Sequence, residues 1–256
     1  MCERASRRSQ RGFSLIELLI VILILTVIMG AIFNQIELVQ QRAVTEQAKL
    51  DMFQQAREFM DQLSRDLHQA GFPGVEVFST ANSHFVLNPA NPQSPFANNS
   101  IVAVGLTKID SGDLWFEGDV DGSGQVSVVH YHYDASGTNC PCLKRSVQTP
   151  KISADPLSQQ TPVYSVEVQN VQNGDSSSNP IFYAYAHGSG TALSLPLDFD
   201  ANPKVMASID TIQIVLTVQS PIPDPKTQLK PITTLVSTVR LPNCSSAYPG
   251  QANSCQ

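Results

Sequence analysis

Three clusters in this 256-residue chain combine residue types that do chemistry. Asp119-Val-Asp121-Gly-Ser123-Gly-Gln125 places side-chain oxygens at alternate positions, with glycine sixth and a backbone carbonyl seventh. A loop can wrap Ca²⁺ in this way, with a bidentate glutamate as the twelfth residue. Here the twelfth residue is His130. A tight Asp/Gly hairpin turn is the competing reading and requires no ion. Next come His130-Tyr-His132 and Cys140-Pro-Cys142. Alternating histidines share one strand face, and four nitrogen and sulfur ligands suit zinc. Against zinc, exported thiols oxidise and the strand is rich in aromatic residues. The third cluster, Asp110, Asp113 and Glu117, has no histidine partner in the expected register and reads as a solvated edge. Gly188-Ser-Gly lacks a placed base, and no GxSxG or phosphate-cradling glycine loop occurs. Catalysis is not expected.

A fourth group is a single residue in the wrong company. Leu18–Phe33 is apolar but for Thr26 and Gly30, and Phe13–Ile16 extends the run upstream past Glu17. About 20 such residues span a bilayer as a helix. Arginines 4, 7, 8 and 11 precede the run, so residues 1–12 should stay cytoplasmic and everything after Phe33 be exported. A secretory signal peptide would need a small-x-small cleavage site after the apolar core, and Ala31-Ile-Phe-Asn-Gln offers none that convinces. A plain anchor leaves Glu17 unexplained, because a carboxylate in a membrane helix costs about 2–3 kcal/mol even on lenient scales.

The run Arg11-Gly12-Phe13-Ser14-Leu15-Ile16-Glu17 resembles the processing site of type IV prepilins and type II secretion pseudopilins. The resemblance implies cleavage between Gly12 and Phe13 by the prepilin peptidase, followed by N-methylation of Phe13. It also implies that Glu17 pairs with the amino terminus of a neighbouring subunit. The physics is coherent: cleavage creates a cationic amine in an apolar place, about one helical turn from the carboxylate.

Further along, the chain changes period once. From Phe13 to Ala70 there is no proline and only one glycine. Apolar residues recur at Val39, Ala43, Leu50, Phe53, Ala56, Met60, Leu63, Leu67 and Ala70, in the steps of an amphipathic helix packed on its own domain. Gly71 and Pro73 stop it, giving a helix of about 58 residues, ~87 Å long. Beyond Gly74, β-branched runs alternate with Pro, Gly, Asn and Ser clusters. Strands are expected near 75–78, 84–86, 101–107, 114–117, 125–133, 163–169, 182–186, 209–219 and 233–241, with irregular insertions at 88–100 and 174–180. The expected fold is α+β: a leader, 1–12; a long helix, 13–70, membrane-spanning over 13–33; and an antiparallel sheet domain, 74–256, under the helix stripe.

Looser likenesses extend into that domain. Asp66-Leu-His-Gln-Ala-Gly-Phe, the hairpin around Gly118–Gly124, Leu143-Lys-Arg and the ending Leu235–Asn243 are similar to PilW-type minor pilins and J-type pseudopilins. Once Cys2 is lost with the leader, Cys140, Cys142, Cys244 and Cys255 remain, and four cysteines allow three pairings. Many pilins close a loop near their end, as Cys244–Cys255 would. Pairing Cys140 with Cys142 would form a strained ring, and cross-pairing with the tail competes. After the leader, 12 basic and 21 acidic residues leave a net charge of −9, so no nucleic-acid partner is expected. The expected partners are the peptidase, other major and minor pilins or pseudopilins, and an inner-membrane assembly platform. The rival expectation is an anchored adhesin or ligand-binding module that never polymerises.

Overall fold

The computed structural model describes residues 14–73, 100, 103–138, 140–152, 154–155, 157–176 and 178–242. Gly12, Phe13, Cys244, Cys255 and the strands expected near 75–78 and 84–86 lie outside the described residues.

Helix α1 runs Leu15–Gln69, 55 residues and about 82 Å. It ends where expected: Gly71 takes φ 80°, and its N–H leaves the helix to donate to the Glu117 carbonyl at 2.9 Å. Nine strands follow among the described residues. β1 (Leu106–Ile109), β2 (Asp113–Gly118), β3 (Ser127–Asp134), β4 (Cys142–Gln148), β5 (Ser165–Gln169) and β7 (Leu197–Asp198) make one sheet, ordered β5-β4-β3-β2-β1-β7. β6 (Phe182–Ala186), β8 (Ile209–Gln219) and β9 (Ile232–Arg240) make a second, ordered β6-β8-β9. Neighbouring strands are antiparallel throughout. A short helix, α2 (Pro203–Ser208), leads into β8. The architecture is α+β and pilin-like, with two sheets where one was expected.

The two sheets and α1 share one core. Met52, Ala56, Phe59, Met60, Leu63 and Leu67 of the helix are buried with Phe116, Tyr131, Leu143, Ile214 and Leu216. The expected stripe holds from Ala56 to Ala70 but not above it. Val39, Ala43, Leu50 and Phe53 are exposed, while Thr45 and Met52 are buried. The reason is angular. Phe53 follows Met52 by one residue, about 100° round the helix, and so falls off the face that meets the sheets. Before Thr45 every described residue of α1 is exposed save half-buried Leu38, and Glu37, Val44 and Thr45 line an open groove with Ile222, Pro223 and Gln228.

A polar clamp fixes the lower end of α1. Asp66 is only 2% exposed and sits among donors from both layers. Arg145 of β4 reaches its Oδ2 at 2.7 Å and 2.8 Å through two nitrogens, and the Tyr131 hydroxyl of β3 donates to the same oxygen at 2.6 Å. Gln62, one turn back, donates to Oδ1 at 2.6 Å. Arg145 therefore points inward from β4 and interrupts its apolar alternation, which is why no strand was expected there. Beside the clamp, Gly118 bridges to Ala70, and a Cβ on it would collide with the Gln69 carbonyl. Helix and sheet approach this closely only because that residue has no side chain.

Candidate functional site

Two regions concentrate unusual chemistry, the free end of α1 and the face of the six-stranded sheet turned away from it. At the free end, the N–H groups of Glu17 and Leu18 close the first turn on the Ser14 carbonyl at 3.0 Å and 3.2 Å. From Leu15 to Phe33 the only polar side chains are Glu17 and Thr26, and all are exposed. Thr26 donates to the Ile22 carbonyl at 2.7 Å and so is satisfied within the helix. Glu17 has no such recourse: its carboxylate meets no hydrogen-bond or ion-pair partner among the described residues.

On the outer sheet face, β2 and β3 pair so that Asp113 stands opposite His132 and Trp115 opposite His130. One oxygen, Asp113 Oδ1, lies 2.8 Å from His130 Nε2 and 2.8 Å from His132 Nδ1. The Tyr164 hydroxyl, from the segment before β5, lies 2.6 Å from His130 Nδ1, and Trp115 packs on the His130 ring with centroids 3.9 Å apart. Burial alone would raise the Asp113 carboxyl. The two imidazole hydrogen bonds outweigh it and hold Asp113 well below the ordinary carboxylate range. Burial likewise pushes His130 down, against the pull of Asp113. Asp113 is thus not a solvated edge without a histidine: it begins β2, one residue before the expected start, and that residue faces the histidines. Glu117, on the same face, is also not solvated but fully buried.

A comparison with protein families matches residues 7–33 to the prokaryotic N-terminal methylation motif. Over these residues the chain is like a type IV prepilin. The match coincides with the apolar, exposed end of α1 and with Glu17, and it carries two consequences: processing by prepilin peptidase and assembly with other pilins. The motif marks a family of structural subunits, not of enzymes. Among the described residues α1 alone is long and apolar enough to cross a membrane, in keeping with anchoring at that end. No curated protein and no solved structure matches the chain.

The other sequence motifs of the prepilin-like chain resolve differently. In the Asp119 turn, Asp119 accepts the Ser123 and Gly124 N–H groups at 3.0 Å and 2.8 Å, and Asp121 accepts Ser123 N–H at 3.0 Å. The N–H of Gln125 donates to Ser123 Oγ at 3.3 Å. Gly122 and Gly124, at φ 71° and 78°, supply the left-handed steps such a turn needs. The zinc set is overturned, because Cys140 and Cys142 are bonded to each other, with Cα atoms 4.3 Å apart. Chain reversal through Pro141 into β4 brings the two thiols together, which spacing alone argued against. Cross-pairing of either with the tail is excluded by the same bond.

Glu117 gives this domain a pH dependence. Full burial raises its carboxyl from an ordinary 4.5 to about 7, although the Val104 N–H at 3.0 Å and Gln159 at 3.3 Å favour the ionised form. A raised acid stabilises the fold below its unfolded pKa and loses that contribution as pH rises through the folded one. Stability should therefore fall between about pH 4.5 and 7, by something on the order of 3 kcal/mol. Glu117→Gln, which keeps the shape, is expected to flatten the profile and raise the melting temperature at about pH 8. Parallel melting curves of the two proteins across pH would count against this account.

Proposed function

We propose that the chain is a minor pilin or minor pseudopilin. Residues 1–12 are a cytoplasmic leader removed after Gly12, and Phe13 becomes the N-methylated first residue. The apolar end of α1 crosses the inner membrane with the β domain in the periplasm, then enters the filament core. The observation that carries this reading is Glu17: an unpartnered carboxylate in an exposed apolar helix, inside the methylation motif. A neighbouring subunit's amino terminus would neutralise it and set the axial register. Exposed Val39, Val44, Leu50 and Phe53 support the same reading, since they extend the apolar surface beyond the membrane segment. The similarity of the Asp66, Gly118 and Leu143 stretches to PilW-type subunits favours a minor role. With Cys140 and Cys142 joined, Cys244 and Cys255 are left to close the tail.

The processing step has a simple test. In cells that make the peptidase, Gly12→Val should leave the chain at full length, because a β-branched side chain replaces the hydrogen the cleavage site accommodates. An immunoblot in which Gly12→Val shortens as the unaltered chain does would refute the assigned cut.

A further inference from the structure

We infer that Asp113, His130 and His132 form a binding site for one divalent transition-metal ion of the zinc class. Three donor atoms, Asp113 Oδ1, His130 Nε2 and His132 Nδ1, lie within 4.8 Å of one another. Both ring nitrogens already aim at a single carboxylate oxygen, at 2.8 Å each. Two imidazoles and a carboxylate suit Zn²⁺ and its late first-row neighbours rather than Mg²⁺ or Ca²⁺, which take oxygen sets. Tetrahedral ligands about 2.0–2.1 Å from zinc sit roughly 3.3 Å apart, so the Asp113 oxygen need only draw back by about half an ångström from each ring nitrogen.

The surroundings favour a ligand set over a chance contact. The three residues stand on paired strands, which hold geometry better than loops. His130 is buried, and its outer nitrogen is held by Tyr164, the kind of outer partner that orients metal-bound histidines. His132 is half-exposed, leaving an open side for entry and for a water as fourth ligand. Opposite His130 on β4, the Ser146 hydroxyl is buried with no hydrogen-bond partner among the described residues. Among the described residues, Lys108 acts on His130, and Lys144, opposite His132 on β4, is tied to Asp134 at 2.6 Å.

With Asp113 ionised, His130 donates through Nε2–H, His132 donates through Nδ1–H, and His130 Nδ1 accepts from Tyr164. On metal ligation each ring carries its proton on the nitrogen turned away from the metal. His130 Nδ1–H then donates to the Tyr164 oxygen, and His132 Nε2–H faces solvent.

The test uses the full chain in detergent, free of affinity histidines, stripped with chelator and kept non-reducing. Titration with Co²⁺ should give one ion per chain with the strong visible bands of a four-coordinate centre, and Zn²⁺ should displace it and raise the melting temperature. His132→Ala, which alters only a half-exposed ring, should weaken binding by at least about 100-fold, and Tyr164→Phe by about 10–100-fold, as outer-partner losses do. The absence of saturable one-to-one binding in the unaltered chain would overturn the site. So would undiminished binding by a folded His132→Ala or Asp113→Asn chain.

Discussion

Glu17→Val is expected to leave the chain membrane-inserted and processed, yet absent from filaments. The substitution removes a charge from an apolar segment, so insertion gains about 2–3 kcal/mol on lenient scales. Assembly loses instead. In the filament the Glu17 carboxylate would meet the amine that cleavage creates, in surroundings with little water to screen either charge. Taking away one partner of a buried ion pair costs about 3–5 kcal/mol, because the other charge is left uncompensated. Each 1.4 kcal/mol is about tenfold in an equilibrium, so incorporation should drop ~100-fold or more. The measurement is the chain's abundance in the sheared filament fraction relative to the membrane fraction. Equal abundance with and without Glu17 would favour an anchored module that never polymerises.

The second large effect lies at the other end of α1. Asp66→Ala strands Arg145 and the Tyr131 hydroxyl beneath the helix and removes the Gln62 contact as well. Burial, and the charge of Asp66 beside it, already hold the Tyr131 hydroxyl in its neutral form, with its pKa raised above the ordinary value. A loss of about 3–5 kcal/mol is expected, a large part of the ~5–15 kcal/mol by which domains are stable. Melting should fall by roughly 10 °C in the detergent-solubilised chain. Asp66→Asn, which keeps an acceptor for Tyr131 but no charge for Arg145, should fall between. A melting temperature unchanged by Asp66→Ala would mean that the clamp does not hold helix to sheet.

These two ends differ in how far the sequence announces them. The apolar end of α1 is a local signal: composition, the absence of proline and one out-of-place carboxylate are all read within a few turns. Gly71 is local too, and so are β6 and β8, whose bounds coincide with the expected runs. The Asp66–Arg145 clamp is not local, since its partners are 79 positions apart and each alone looks like an ordinary surface charge. The outer-face cluster failed for a finer reason. Alternation puts His130 and His132 on one face, but the apolar run opposite starts at Leu114, one residue after the carboxylate that begins β2. Sequence proximity points to cysteine as their partner, whereas the β2–β3 register supplies a carboxylate. Glu117 was hidden similarly, because its burial depends on Val104 and Gln159, from segments that pair with it only after folding.

The central claim is that the methylation motif is a working processing site and α1 an assembly helix. The most direct measurement is the mass of the amino-terminal peptide of the chain purified from cells that make the prepilin peptidase. The account predicts a peptide that begins at Phe13 and carries one added methyl group on its amine. A peptide that still begins upstream of Gly12, or one that begins after the apolar segment, would contradict it.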